Sequence, residues 1–593
     1  MDVVSRRKSH AEDQKMTRSF SLWMFFLLLL TFALFWYTAF HLHTEHSKAR
    51  ARLRKTAELI FRSPTHHYET KDFQFPEYTN EEYGFQNLTM IHNENEIQDH
   101  EQGHKKHAFN QMVSDRIGYQ TRPLADHRSE LCKNHNFEAE GRTSVIICFY
   151  NEALSTLLRT ISTVFKRTSP QYLKEVIIVD DGSDEEYAHR IESFVEENYL
   201  KEKLHMLRSD KQLGLIKARM FGARHATGDV LVFLDSHCEV SEGWIEPLLF
   251  AINSSRTTVV SPVVDVISSD TFEYTPSDLM RGGFNWGLHF TWEALPPNIQ
   301  IGYHAYATPT ISGGLFAVDR EFFFSLGGYD EGMQEWGGEN LELSFRTWMC
   351  GGQMRIAPCS RVGHVFRRRR PYGFGSNASL HNAVRLAKVW LDEYVVHFKK
   401  VQKMYNSVEP GDVSDRVALR KKLKCKNFKW YLTEVYPEIE IPGERSSSIQ
   451  YNFQRKPVEI IAKGQIKVAG LSICLSSESK KGSPLMAGDC TPTLESWTFT
   501  GTGEIRLGKN LCLDASSASS PRMMKCEGSG GMQKWNFIST SAKEKTDRGG
   551  TVSGRLYCAA AGLCLSVNQD GDSFEAILRI CHKPSVQNFT ITR

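Results

Sequence analysis

The stretch "LVFLDSHCEV" (residues 231–240) opens as a buried strand and closes in polar residues. Leu231, Val232, Phe233 and Leu234 form an unbroken apolar run, the pattern of a strand covered on both faces. Asp235, Ser236, His237, Cys238 and Glu239 follow at once. Alternation along a strand puts Asp235 and His237 on one side, where they offer a carboxylate and an imidazole to a metal. That pair suits manganese better than calcium, which prefers oxygen alone. The competing reading is a strand-end turn with Asp235 as a helix cap.

The flanking sequence repeats the pattern. "SVIICFYN" (144–151), "EVIIVDDGS" (175–183) and "LHMLRS" (204–209) read as strands. Between the first two lies a helical segment with Leu154, Leu157, Leu158, Ile161 and Val164 on one face. Alternating strands and helices predict a parallel α/β sheet, whose ligands bind at the carboxyl ends of the strands. Tyr150 and Asn151, Asp180 and Asp181, and Asp235 and His237 end three of these strands and converge on one crevice. Asp181 there suits the hydroxyls or amide of a nucleoside, although Asp-Gly is also turn chemistry.

A third ligand comes from "VGHVF" (362–366). His364 among apolar neighbours reads on its own as a core histidine. The "FRRRR" run that follows (366–370) makes it a ligand candidate, although most such runs are solvated loops. Arginines grip phosphate oxygens bidentately, and a metal neutralises a diphosphate leaving group. "EWGGENLELSFRTWMCGG" (335–352) is a loop entering a helix, with Leu341, Phe345 and Trp348 at core spacing. Capping alone explains Glu339 and Asn340 at the helix start, whereas Gly337 and Gly338 beside Trp336 suggest close approach of a ligand.

The chain has 593 residues and a net charge of +3, enough for two or three domains and without a basic stripe for nucleic acid. Residues 19–40 carry no charge, and about 20 apolar residues span a bilayer. With no short apolar core and no small-residue cleavage site, this is an uncleaved anchor. Basic residues flank it on both sides and leave its orientation open. All 13 cysteines lie beyond it, as do the N-glycosylation sequons at Asn87, Asn253, Asn377 and Asn588. Together they predict a lumenal bulk and a short cytoplasmic tail. Residues 41–105 are rich in His, Glu, Lys and Asn and read as a mostly disordered stem. From about 460 the motifs "ICLSS", "LCLDAS" and "LCLSVN" recur, each followed by a second cysteine and closed by "ESW", "QKW" or "QNF". This is a threefold internal repeat.

In order along the chain, "NEALSTLLRT", "VDDGS", "FLDSHCE", "GGLFAV", "WGGENLELSFRTWMCGG" and "CSRVGHVFR" resemble the polypeptide N-acetylgalactosaminyltransferases. "GDVSDRVALRKKLKCKNFKWYL" (411–432) is similar to the end of that family's catalytic domain, and the repeats resemble its ricin-type β-trefoil lectin. The resemblance implies a GT-A-type fold with a parallel-dominated, Rossmann-like sheet, an all-β trefoil and an N-terminal transmembrane helix. It implies a cytoplasmic tail over 1–18, a signal-anchor over 19–40, a stem over 41–105, a catalytic domain over 106–440, a linker over 441–460 and a lectin over 461–593. It implies a type II Golgi membrane protein that transfers N-acetylgalactosamine (GalNAc) from UDP-GalNAc to Ser or Thr of polypeptides or GalNAc-glycopeptides, with retention of configuration.

By the same resemblance, Asp235, His237 and His364 hold Mn2+. Asp181, Ser236, Trp336, Arg367 and Tyr372 lie on the nucleotide sugar. Glu339 is the catalytic carboxylate near sugar and acceptor. The family picture has UDP leaving on the face where the acceptor arrives, with no firmly assigned protein nucleophile. The implied disulfides are Cys132–Cys359, Cys350–Cys425, Cys474–Cys490, Cys512–Cys526 and Cys564–Cys581, leaving Cys148, Cys238 and Cys558 unpaired.

Two departures stand out. Gln212 occupies the donor-binding position where the family often has arginine, with Lys211 and Lys217 nearby. Of the three trefoil units only the second keeps the sugar-accepting Asp, as Asp514; the others have Ser476 and Ser566. Rival readings are a catalytically weak member acting as a GalNAc-binding lectin, a transferase using another UDP-sugar, and a plain membrane-anchored lectin. Donor hydrolysis separates them.

Overall fold

In the computed structural model, the described residues are 85–593 without 199, 201, 370–376, 444–457, 492–495, 529, 539–550, 571–572, 582–586 and 592–593. The proposed anchor at 19–40 lies outside them. Among the described residues no helix is long and apolar enough to cross a membrane.

The first half of the catalytic sheet follows the predicted strands: β1 (Thr143–Phe149), β2 (Leu173–Asp180), β3 (Leu204–Arg208) and β4 (Val230–Asp235). All pair in parallel, in the order β3-β2-β1-β4. Both faces are buried, which is why these strands read as unbroken apolar runs. Ile146, Leu231 and Phe233 enter one core with the helix Leu215–His225. Val145, Ile147, Val232 and Leu234 enter the other with the helix Leu154–Arg167.

Beyond β4 the sheet is mixed, with its longest ladders still parallel, as expected of a parallel-dominated sheet. The strands β5 (Cys238–Val240), β6 (Thr258–Ser268) and β7 (Tyr274–Thr275) come next. A separate hairpin, β8 (Met280–Phe284) with β9 (Phe290–Ala294), precedes β10 (Tyr306–Ala307), β11 (Phe316–Asp319) and β12 (Gln353–Phe366). β11 lies antiparallel between β4 and β6, and β12 runs parallel to β6. A four-residue strand followed directly by a helix carries no directional signal in its sequence.

The stem needs correction. Of the stretch read as a mostly disordered stem, 41–84 lies outside the described residues, while its end forms the helices Phe85–Thr89 and Glu94–His107. The second is well capped: the Asn93 side chain accepts from Glu96 N, and Glu96 Oε2 accepts from His92 N at 2.8 Å. Its buried face is filled by His100, Gly103 and His107, so no aliphatic periodicity announced it.

The trefoil closes three hairpins. Ile473–Ser476 pairs with Met486–Asp489, Leu511–Asp514 with Arg522–Lys525, and Leu563–Asp570 with Ser573–Arg579. Leu475, Leu513 and Leu565, each next to a cysteine, are fully buried at equivalent places. The Trp497 indole donates to Leu475 O at 3.1 Å and the Trp535 indole to Leu513 O at 2.9 Å. Phe589, also buried, replaces the tryptophan in the third unit. The five disulfides join Cys132 to Cys359, Cys350 to Cys425, Cys474 to Cys490, Cys512 to Cys526 and Cys564 to Cys581, the pairs the resemblance implies. Cys148, Cys238 and Cys558 are buried thiols.

Candidate active site

β4 ends at Asp235, and Ser236 and His237 form the turn into β5. Asp235 and His237 therefore meet through a turn and not, as strand alternation suggested, along one strand face. The antiparallel pairing of β5 with β12 brings in the third residue: His364 lies opposite Cys238, and Val365 N donates to His237 O at 3.1 Å. The ligand atoms of Asp235, His237 and His364 all lie within 4.8 Å of one another.

Each member is oriented from behind. Asp235 Oδ1 accepts from Arg219 Nη2 at 2.8 Å, and Oδ2 lies 3.1 Å from His364 Nε2. Burial alone would raise the Asp235 carboxyl, but the His364 contact and the Arg219 charge hold it well below the usual carboxylate range. His237 Nδ1 lies 2.9 Å from Glu152 Oε2, which leaves Nε2 as the free ring nitrogen. Burial, then the Arg367 charge, push His237 down to about 4, against the pull of Glu152. It is thus a neutral imidazole near neutral pH, the form a metal requires. His364 Nδ1 is buried without a hydrogen-bond partner among the described residues. One carboxylate, two imidazoles and an uncommitted buried nitrogen fit a divalent cation of the manganese or zinc type.

Glu152 collects three groups on one oxygen. Its Oε2 accepts from Ser236 Oγ at 2.8 Å, faces His237 Nδ1 and accepts from Arg367 Nη2. Burial would raise its carboxyl, but Arg367 and His237 hold it well below the usual range. Ser236 spends its hydroxyl here, and Arg367 stacks on the Phe109 ring at 5.0 Å.

Around the triad the backbone comes close. A Cβ on Gly314 would lie 2.6 Å from Asp235 Oδ2. Arg219 also donates to Gly313 O at 2.8 Å, so one buried guanidinium fixes both the carboxylate and the loop below it. Glu339 opens the helix Glu339–Met349 and is 5% exposed. Its Oε2 accepts from Gly337 N at 2.6 Å, and burial raises its carboxyl against the pull of Arg219. Gly337 and Gly338 have φ of 102° and 83° and pack on Ser379 and Asn382, so their close approach is to the chain's own helix Ala378–Trp390. Trp336 beside them is 38% exposed. Leu341 and Phe345 are core as predicted, whereas Trp348 is only partly buried.

Asp181, at the end of β2, is buried and accepts from Leu213 N at 2.7 Å and Gly214 N at 2.9 Å. Burial, opposed by these two bonds, pushes it up to about 6. It anchors the loop on which Gln212, Lys211 and nearby Lys217 are exposed. Tyr372 lies outside the described residues. In the trefoil, buried Asp514 accepts from Ser516 N at 2.9 Å and from Gln533 Nε2 at 3.1 Å.

Residues 144–326 match the glycosyl transferase family 2 model, 300–370 the N-terminal domain of galactosyltransferase, and 462–549 the ricin-type beta-trefoil lectin domain. The chain is 44% identical over 499 residues to Polypeptide N-acetylgalactosaminyltransferase 11 of Xenopus tropicalis, covering 81% of this chain and 80% of that protein. The chain belongs to the polypeptide N-acetylgalactosaminyltransferase family. Human Polypeptide N-acetylgalactosaminyltransferase 10 is 37% identical over 79% of this chain and 77% of its own. The crystal structure of GalNAc-T7 with UDP, GalNAc and Mn2+ superposes with a TM-score of 0.56 at 29% identity, covering 85% of this chain and 91% of that one.

Within this family member, three site residues escaped the sequence reading. Glu152 directly follows the polar end of β1 and is the second residue of the family-like "NEALSTLLRT", signals that give it no stated role. Arg219 sits in an apolar helix face between Ala218 and Met220 and gave none. Gln533, in the "QKW" that closes the second repeat, was passed over as part of the repeat signature.

Proposed function

We propose that this chain transfers GalNAc from UDP-GalNAc to Ser and Thr hydroxyls of polypeptides with retention of configuration, and so initiates mucin-type O-glycosylation. The carrying observation is the Asp235–His237–His364 cluster at the carboxyl end of β4, beside a buried Glu339, in a member of this transferase family. These three residues would hold Mn2+, which supplies positive charge to the departing diphosphate. Arg367, kept extended by Glu152 and Phe109, adds a guanidinium on the same side. Asp181 takes hydrogen bonds from the nucleoside while its backbone partners fix its position. Glu339 faces the sugar and the incoming hydroxyl, and Trp336 covers the donor. Positioning and leaving-group electrostatics then supply most of the acceleration, with no protein nucleophile required. We place the catalytic domain at 106–440, the linker at 441–460 and the lectin at 461–593, with a type II anchor at 19–40 in the Golgi membrane. The second trefoil unit, through Asp514, recruits glycopeptides that already carry GalNAc.

The test is UDP release from a panel of UDP-sugars with Mn2+, with and without acceptor peptide. UDP-GalNAc should be the preferred donor, chelator should stop turnover, added Mn2+ should restore it, and Asp235→Ala should abolish transfer without loss of the folded state. Full activity of Asp235→Ala would overturn the metal assignment. The reading as a catalytically weak lectin draws on Gln212 alone, and negligible turnover with intact GalNAc binding would favour it.

A further inference from the structure

Two features take no part in the proposed reaction: the arginines after Arg367, and the third trefoil unit, which has Ser566 where the second has Asp514. The chain's own leading helices cover that third unit. Ile91 N donates to Gly562 O at 3.0 Å, Thr89 Oγ1 lies 2.6 Å from the Tyr557 hydroxyl, and His100 Nε2 lies 3.0 Å from Ala560 O. Thr89 and Ile91 are 0% and 1% exposed. The fit leaves no slack, because a Cβ on Gly562 would come within 2.7 Å of Ile91 Cγ1 and of Thr89 O.

The second unit is held at another point. Arg368 Nη2 donates to Asp270 Oδ2 at 3.2 Å and lies so close against Gly531 that a Cβ there would overlap it. Lys534 Nζ lies 3.4 Å from Glu273 Oε2. Arg369 donates to the carbonyls of His104 and Lys105 at 2.6 and 2.7 Å, which ties the arginine run to the helix Glu94–His107. The turn Gly531–Gln533 thus faces two ways: Gly531 rests on Arg368, while Gln533 holds Asp514.

We propose that the third trefoil unit is a docking face for residues 85–107, and that this face, with Arg368 on Gly531, locks the trefoil in one orientation and so sets how far from the acceptor hydroxyl a prior GalNAc must lie. This rests on the reading that the second unit binds GalNAc. Domains joined by a linker move relative to one another unless a substantial interface stops them. A freely moving lectin would spread its effective concentration over many spacings, whereas a docked one concentrates it at few. The half-exposed ion pairs are individually weak, so the buried Ile91–Gly562 and Thr89–Tyr557 contacts carry the lock and the charges set its orientation.

The test uses the full-length chain in detergent, with Ile91→Arg, Lys534→Glu, Glu273→Lys and the last two combined. Hydrogen exchange reads docking at the amides of 88–92 and 530–534. Function is read as kcat/KM on a peptide ladder bearing one GalNAc at stepped positions on either side of a single Thr, each relative to the bare peptide. In Ile91→Arg exchange should rise about tenfold and the ratio of best to worst spacing should fall at least about threefold, and in Lys534→Glu, where a weak attraction becomes a repulsion, both should change in the same direction by about twofold or more, with bare-peptide turnover within about twofold of wild type in each. Combining Lys534→Glu with Glu273→Lys should restore both. An unchanged exchange pattern, or raised exchange with an unchanged spacing profile, would overturn the proposal. If Ile91→Arg does not fold, the charge swap decides. A spacing profile that is equally flat in wild type and Asp514→Asn would remove the GalNAc reading of the second unit, and the docking would then stand or fall on the exchange data alone.

Discussion

At the residue scale the site depends on groups behind the metal ligands. Glu152 is the one with the most demands on it, since it orients His237 and neutralises Arg367 with a single oxygen. Replacing an outer partner of a ligating imidazole commonly lowers metal affinity about 10- to 100-fold. Glu152→Gln should therefore shift the Mn2+ activation curve by that factor, while saturating Mn2+ recovers part of the rate; an unshifted curve would show that Glu152 is only structural. Asp181 predicts a pH effect. Its carboxyl is raised to about 6 in the fold, so ionising it costs stability that is present below its ordinary value of 3.8 and lost as pH climbs through 6. In the proposed nucleoside-binding role its ionised form is the better acceptor, so UDP affinity should rise over the same window. Calorimetric titration of UDP between about pH 5 and 7 should show that slope in wild type and lose it in Asp181→Asn. Asp235, His237 and Glu339 were legible because they stand at element ends with chemistry no core needs. Arg219 was not, since a buried arginine in an apolar helix is visible only through the oxygens it meets in three dimensions.

At the scale of elements, the proposed metal triad depends on a strand pairing. β12 carries His364 to His237 only because β5 lies against it. Gly363, next to His364, has no room for a side chain: a Cβ would overlap the Tyr274 ring, whose hydroxyl donates to Asp265 at 2.8 Å. Gly363→Val should therefore displace β7 or β12. Overpacking of this kind costs about 1–3 kcal/mol, so a lower Tm together with weaker Mn2+ activation is expected; unchanged values of both would mean that the strand absorbs the methyls without moving His364. The parallel half of the sheet was readable from its apolar runs, because burial on both faces leaves a direct imprint on composition. The antiparallel β11 and the histidine-faced helix Glu94–His107 were not, because what fixes them is the partner they pack on.

At the scale of the whole molecule, the proposed lectin role of Asp514 is testable apart from the transfer step, because Asp514 lies in the trefoil and the metal cluster in the α/β half. Asp514→Asn leaves the crevice untouched. In the proposed GalNAc site it weakens an acceptor worth about 1–3 kcal/mol, or roughly 5- to 150-fold in affinity. The loss should appear on GalNAc-bearing peptides and not on bare ones. Equal kinetics on both would take the lectin role away from this residue, and a loss on bare peptides as well would point to a misfolded trefoil. The threefold repeat was plain in the sequence because each unit reuses the same Cys-Leu and aromatic positions. The covering of the third unit by Thr89 and Ile91 was not, since that contact joins residues more than 400 positions apart, as the Thr89–Tyr557 separation of 468 shows.

The three buried thiols have a consequence for biogenesis. Burial pushes Cys148 and Cys558 up to about 12 and Cys238 well above the usual range. Near pH 7 such thiols are almost wholly protonated and buried, so the finished fold shields all three from exchange. The nascent chain has no such shield, and presents them as ordinary competitors to the ten cysteines that must pair. In the oxidising lumen proposed for this chain, burial of Cys148 in the sheet and of Cys238 at the start of β5 then becomes a race against mispairing. Pulse-labelled chains on non-reducing gels would show that race as transient mixed species, and replacing the three cysteines with Ala or Ser should remove them. Variants that merely slow folding would then be lost as wrongly bridged chains held back by quality control, before their catalytic competence is ever tested.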